Sequence, residues 1–132
     1  MKTLISLLFL VFALLAGVPS FANSYTCKPT HVLTYRSGGT PTLKTASDED
    51  IQIEFYLTIS DESAALSFPN NPPVIFAHSK TQRTSDGKLS RYSDSASFDV
   101  NELLIRDFDD VPLSVTMIGG RYDIITHLNA EC

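Results

Sequence analysis

The sequence predicts an all-β domain, a small antiparallel barrel or sandwich of about eight short strands closed by one disulfide. Three observations carry that prediction. Apolar and polar residues alternate at period two through most of the chain beyond residue 23, paired turn residues separate the alternating runs, and two cysteines stand at opposite ends of the stretch. Hydrophobic residues make up 43% and charged residues 19% of the chain, which predicts a packed core and excludes a disordered or coiled-coil chain.

The N-terminal residues read as an export signal. Met1, Lys2 and Thr3 form a short basic start, and Leu4 to Val18 is apolar apart from Ser6 and Gly17. As a helix this stretch would cover only about 22 Å of a roughly 30 Å hydrocarbon core, so a removed signal is favoured over a membrane anchor. Pro19 then breaks the run, and Ser20-Phe21-Ala22 puts small residues at the two positions a signal peptidase reads. The expectation is cleavage after Ala22, with residues 1–22 removed and residues 23–132 forming one small β domain in the periplasm or outside the cell. No cysteine follows Leu14-Leu15-Ala16-Gly17, so no lipid anchor is expected.

Along the remaining chain, His31 to Arg36 reads as a first strand, with Cys27 and Pro29 just ahead of it. Ile51 to Ser60 alternates without a fault. Ile51, Ile53, Phe55, Leu57 and Ile59 are expected to face the core, and Gln52, Glu54, Thr58 and Ser60 to face out. Asp61-Glu62-Ser63 can turn the chain into a short return strand, Ala64 to Phe68, which Pro69-Asn70-Asn71-Pro72-Pro73 ends. Val74 to Lys80 is the next strand, and Asp86-Gly87 is a two-residue hairpin signal leading into Lys88 to Tyr92.

Ser97 to Phe108 has two readings. Asp99 and Glu102 have capping-box spacing ahead of Val100, Leu103, Leu104 and Phe108 on one helical face, which would give a short helix near 99–107. Phe98 with Val100, and Leu103 with Ile105, also fit two strands separated by Asn101-Glu102, the reading that suits the surrounding β pattern. Leu113, Val115 and Met117 then alternate before Gly119-Gly120, and Tyr122, Ile124, Thr126 and Leu128 alternate after it, predicting a terminal hairpin turned at the two glycines.

An oxidising compartment lets Cys27 and Cys132 pair, tying the first strand to the last. A structural bridge is favoured over a reactive thiol or metal site, because an oxidising compartment is expected and no Cys-x-x-Cys spacing occurs. Other chemistry is sparse. His31, His78 and His127 are too far apart in sequence to form a local metal motif, and Asp107, Asp109 and Asp110 lack the glycine and glutamate of a calcium loop. There is no nucleophile elbow, zinc-protease helix motif or phosphate-binding glycine loop, so no catalytic residue, metal or cofactor is assigned and no enzyme is expected.

Charge narrows the partners. With Lys2 removed, nine basic residues face fifteen acidic ones, a net charge of −6, which disfavours nucleic acid. Lys80, Arg83, Lys88 and Arg91 nevertheless cluster with only Asp86 among them, a candidate docking patch for an anionic partner; the alternative is a solvated strand edge. Tyr25-x-Cys27, Tyr35, Tyr92-Ser93-Asp94 and a terminal Cys132 in a small exported β domain resemble the periplasmic inhibitors of C-type lysozyme, which insert a loop serine and lysine into the enzyme's cleft. Ser95-Ala96-Ser97 is followed here by Phe98 in place of that family's glycine, and its Trp-containing strand has no counterpart, so no functional residue is carried over.

Two functions follow from these features. The first is a non-catalytic binding or inhibitory module of the bacterial envelope, presenting loops such as Ser79 to Arg91 to a macromolecule. The alternative is a small barrel holding an apolar ligand between its sheet faces.

Overall fold

The computed structural model describes residues 22–94, 100–121 and 123–132. Residues 1–21 of the expected signal, Ser95-Ala96-Ser97 with Phe98 and Asp99, and Tyr122 lie outside the described residues. Within them the chain is all-β: β1 (Asn23–Arg36), β2 (Thr42–Thr45), β3 (Phe55–Ile59), β4 (Ser63–Ser67), β5 (Val74–Thr84), β6 (Gly87–Ser93), β7 (Val100–Phe108), β8 (Ser114–Arg121) and β9 (Ile124–Glu131). These form one antiparallel sheet, each strand from β3 onward pairing with the next, and β1 closes the ring by pairing with both β3 and β9.

Closure depends on the length of β1, which is 14 residues. Asn23–Cys27 pairs with β3, and Lys28–Arg36 pairs with β9 on the opposite edge. Where β3 ends, β2 takes over its edge along His31–Thr34. The β1–β9 register slips at Thr30, directly after Pro29, which has no N–H to give the ladder. Cys27 is bonded to Cys132 beside the last pair of that ladder, Lys28 with Glu131.

The interior follows from period-two alternation. Leu57 lies opposite Leu66, Ala64 opposite Phe76, Tyr92 opposite Leu103, Ile105 opposite Val115, and Val115 opposite Ala130, so each inward residue meets another across its ladder. Phe55, Leu57, Ala64, Leu66, Leu103 and Cys27 are completely buried, and the Phe55 and Phe68 rings pack with centroids 4.9 Å apart.

Three expectations are corrected. Ile51–Ser60 is not one strand: Glu49–Ile51 is a 3₁₀ turn and β3 begins only at Phe55. Ile51 is buried, but Ile53 is 51% exposed. Local hydrogen bonds outcompete the ladder here. Asp48 accepts from the Thr45 N–H through its side chain (2.7 Å) and from the Ile51 N–H through its carbonyl (3.2 Å), and the Gln52 amide donates to the Ala46 carbonyl (3.0 Å).

Among the described residues of 99–107 there is no helix, nor a turn at Asn101-Glu102, because β7 runs unbroken from Val100 to Phe108. As a strand it buries Leu103 and Ile105 while bonding to β6 on one edge and β8 on the other, which a helix in this position could not do. The terminal hairpin forms, but its turn lies beyond the two glycines. Both belong to β8, and Arg121 pairs with Ile124 across the turn. A Cβ on Gly120 would overlap the Ile124 carbonyl oxygen, so glycine serves close backbone approach there. Likewise Gly87 opens β6, with Ser85-Asp86 as the two-residue loop, and a Cβ there would overlap the Asp107 carbonyl oxygen.

This assignment separates Phe55 from Ile53. Phe55→Ala should cost about 3–5 kcal/mol in urea unfolding, as other buried phenylalanines do, and Ile53→Ala about 1 kcal/mol or less. Equal costs for the two would contradict the β3 boundary.

Candidate functional site

The β5–β6 hairpin overhangs the barrel. β5 pairs with β4 along Val74–Ala77 and the His78 N–H still donates to the Glu62 carbonyl, so from Ser79 onward its second edge carries no ladder, while β6 stays bonded to β7 along its length. Beneath the overhang, at the mouth of the ring, lies a cleft of about 420 Å³. Its hairpin wall carries His78, Thr81, Arg83, Lys88, Ser90 and Tyr92, and the facing wall is made by Asn23, Ile59, Ser60 and Asp61.

Strand geometry orders the hairpin wall. Lys88, Ser90 and Tyr92 are alternate residues and share a face, a run of about 13 Å at roughly 3.3 Å per residue. Arg83 lies opposite Lys88, Thr81 opposite Ser90 and His78 opposite Tyr92. The pairing slips at Ser79, between His78 and Lys80. That bulge puts His78 on the cleft face, although in a regular strand it would share a face with Lys80.

Hydroxyls form the floor between the cations and the aromatic end. His78 Nε2 is hydrogen-bonded to Thr81 Oγ1 at 2.8 Å, and Thr81 Oγ1 to Ser90 Oγ at 3.0 Å. The His78 ring meets Tyr92 edge-on with centroids 5.3 Å apart. Burial pushes the Tyr92 phenol above its ordinary value; a hydrogen bond with Ser90 works against this, and the Asp61 carboxylate adds to it.

The four basic residues expected to form one patch are divided two and two. Arg83 and Lys88 line the cleft, while Lys80 and Arg91, paired with each other, turn to the opposite face beside Gln82, Leu89, Glu102 and Leu104. Acids on β7 neutralise one cation of each pair: Asp107 sits 3.5 Å from Lys88, and Glu102 holds Arg91. Among the described residues, Arg83 and Lys80, both on the unladdered half of β5, take part in no ion pair within 4.0 Å.

A larger groove of about 770 Å³ runs beside the disulfide, lined among others by Pro29, Thr30, Pro112 and Cys132, but its Lys28 is paired with Glu54 at 2.9 Å. The three histidines do not converge. His78 is in the cleft, His127 stacks edge-on against Tyr35, and His31 bonds to Asn129 on the outer face at 2.8 Å. Among the described residues no group of three His, Cys, Asp or Glu side chains could hold a metal ion.

Sequence reasoning found Arg83 and Lys88 and missed Asn23, Asp61, His78, Thr81, Ser90 and Tyr92 as their companions. Alternation along Lys88, Ser90 and Tyr92 was the available signal for the β6 side. No family model matches the chain, and neither the curated proteins nor the solved structures contain a match to it.

The raised Tyr92 value has a consequence for alkaline stability. The fold favours the neutral phenol, so this contribution is intact below the ordinary value of 10.0 and is lost as pH rises through the raised one. Tyr92→Phe should therefore lose less stability than the parent when melts at neutral pH and above pH 10 are compared. Identical losses would remove Tyr92 from the account.

Proposed function

We propose that this chain is an exported, non-catalytic binding or inhibitory module that meets an anionic group of a macromolecular partner at the cleft under the β5–β6 hairpin. One observation carries the reading: the barrel interior is filled by its own buried side chains, Phe55, Leu57, Leu66, Phe76, Leu103 and Val115, while a polar cleft rimmed by Arg83 and Lys88 opens at its mouth. A filled interior favours recognition at the surface over an apolar ligand held between sheet faces. The Cys27–Cys132 bond is compatible with an oxidising extracellular or periplasmic location.

The arrangement suits an anion. Arg83 supplies a fork of donors with no carboxylate partner among the described residues, the Lys88 ammonium beside it is shared with Asp107, and the Thr81 and Ser90 hydroxyls can donate or accept beside them. Backbone pairing on both edges of β6 holds Lys88 and Ser90 in place, so little ordering is needed on binding.

The test is a nuclear magnetic resonance titration of the oxidised domain with poly-glutamate as an acidic macromolecular probe. Shifts should concentrate at Arg83, Lys88 and Ser90, and Arg83→Ala with Lys88→Ala should weaken binding by roughly tenfold or more. Lys80→Ala with Arg91→Ala, on the other face, should change it less than about twofold. Equal effects of the two double variants would reduce the cleft to nonspecific charge attraction, and a lipid released from denatured native protein in mass spectrometry would support the apolar-ligand reading instead.

A further inference from the structure

We infer that the amino terminus created by processing is itself a component of the cleft, with the α-ammonium of Asn23 paired to the carboxylate of Asp61. The inference rests on the reading of an exported module with an anion-binding cleft and adds a participant that exists only after residues 1–22 are gone.

Three observations lead to it. β1 begins at Asn23, the residue that follows the expected cleavage point Ala22, and Asn23 lines the cleft. Asn23 is held there by its pairing with Ile59, the last residue of β3, and the next residues of that wall are Ser60 and Asp61. Asp61 sits in the turn two residues beyond Ile59 and lines the same cleft as Asn23, and diagonal neighbours across an antiparallel ladder lie about 7–8 Å apart, a span that the aspartate side chain shortens toward the Asn23 nitrogen. Finally, Asp61 takes part in no ion pair among the described residues although it faces a cleft whose other charged or titratable groups are His78, Arg83, Lys88 and Tyr92.

Before processing, the nitrogen of Asn23 is a neutral amide. Asp61 is then an uncompensated negative charge inside the site proposed for an anion. Cleavage converts the amide to an ammonium at that position, pairs it with Asp61 and raises the cleft's net charge by one. Anion binding is thereby coupled to export: the precursor has the weaker site and the processed protein the stronger one.

The experiment uses exported, oxidised protein whose intact mass establishes its first residue. The α-amine is titrated by nuclear magnetic resonance in the parent and in Asp61→Asn. An opposite charge within about 4–6 Å favours the charged form, so the parent amine should titrate about one unit above that of the variant. Should Asp61→Asn fail to fold, the α-amine's rate of acylation at neutral pH serves instead, being slower in the folded parent than in the same protein unfolded in urea. The same midpoint in parent and variant, equal acylation rates, or a first residue other than Asn23 overturns the inference. A chain retaining Ala22 behind an acetyl cap should bind poly-glutamate more weakly than the processed form. If that chain binds equally well and Arg83→Ala with Lys88→Ala still abolishes binding, the amino terminus is not part of the cleft and the functional reading stands; if the double variant has no effect either, both fall.

Discussion

β1 is bonded to three other strands, and its ladder with β9, from Lys28 opposite Glu131 to Arg36 opposite Ile124, turns an open sheet into a ring. That ladder joins the first strand to the last, so forming it requires closing nearly the whole domain as one loop. Cys27 and Cys132, 105 residues apart, fix the closure in covalent form. In the chain-entropy model a bond of that span stabilises the fold by about 4–5 kcal/mol, comparable with the net stability of a small domain. Completing the ring also removes the two long edges that an open sheet would present to other chains. Two shorter edges persist, the overhanging part of β5 and β2, and in β2 Asp48 takes both the N–H and the carbonyl of Thr45.

Ring closure also sets where a partner can be met. Inward side chains from every strand of the ring fill the centre, which confines recognition to the rim and the outer faces. The rim is uneven because β5 and β6 outrun β4, and the overhang brings Arg83 and Lys88 across from Asn23 and Asp61. Asp107 and Glu102, both on β7, bind cations of β6, and the basic side chains of β5 keep their charge available. Like charges placed opposite each other, Arg83 with Lys88 and Lys80 with Arg91, disfavour the isolated hairpin. The cleft therefore costs the domain some stability that its ladders and its disulfide must offset.

The fold was largely legible because period two is a backbone property: Leu57, Leu66, Leu103, Val115 and Leu128 are inward as their alternation predicts. What misled was local chemistry that overrides the period. Ile53 alternates perfectly with its neighbours, yet Asp48 and Gln52 hold the preceding segment in a turn, and nothing in the apolar pattern reports it. Gly119-Gly120 mimics a turn because glycine serves close backbone approach as well as turning. For the site, the basic cluster was visible but its division was not. Lys80, Arg83, Lys88 and Arg91 sort onto two faces through the hairpin register, and the bulge at Ser79 decides which face takes His78. Asn23 and Asp61 enter the cleft from the other side of the ring, a long-range juxtaposition with no trace in sequence spacing.

The central claim is that joining β1 to β9 is what makes the domain one cooperative unit, and native-state hydrogen exchange of the oxidised protein against a Cys27→Ala, Cys132→Ala variant tests it directly. The account predicts that without the bond the slowest amides of all the ring strands, including Leu103 in β7 and Leu66 in β4, exchange faster by a common factor, with about 4 kcal/mol less protection throughout. If acceleration is confined to β1 and β9 while β4 through β7 keep their protection, the ring does not depend on its closure and the account is wrong.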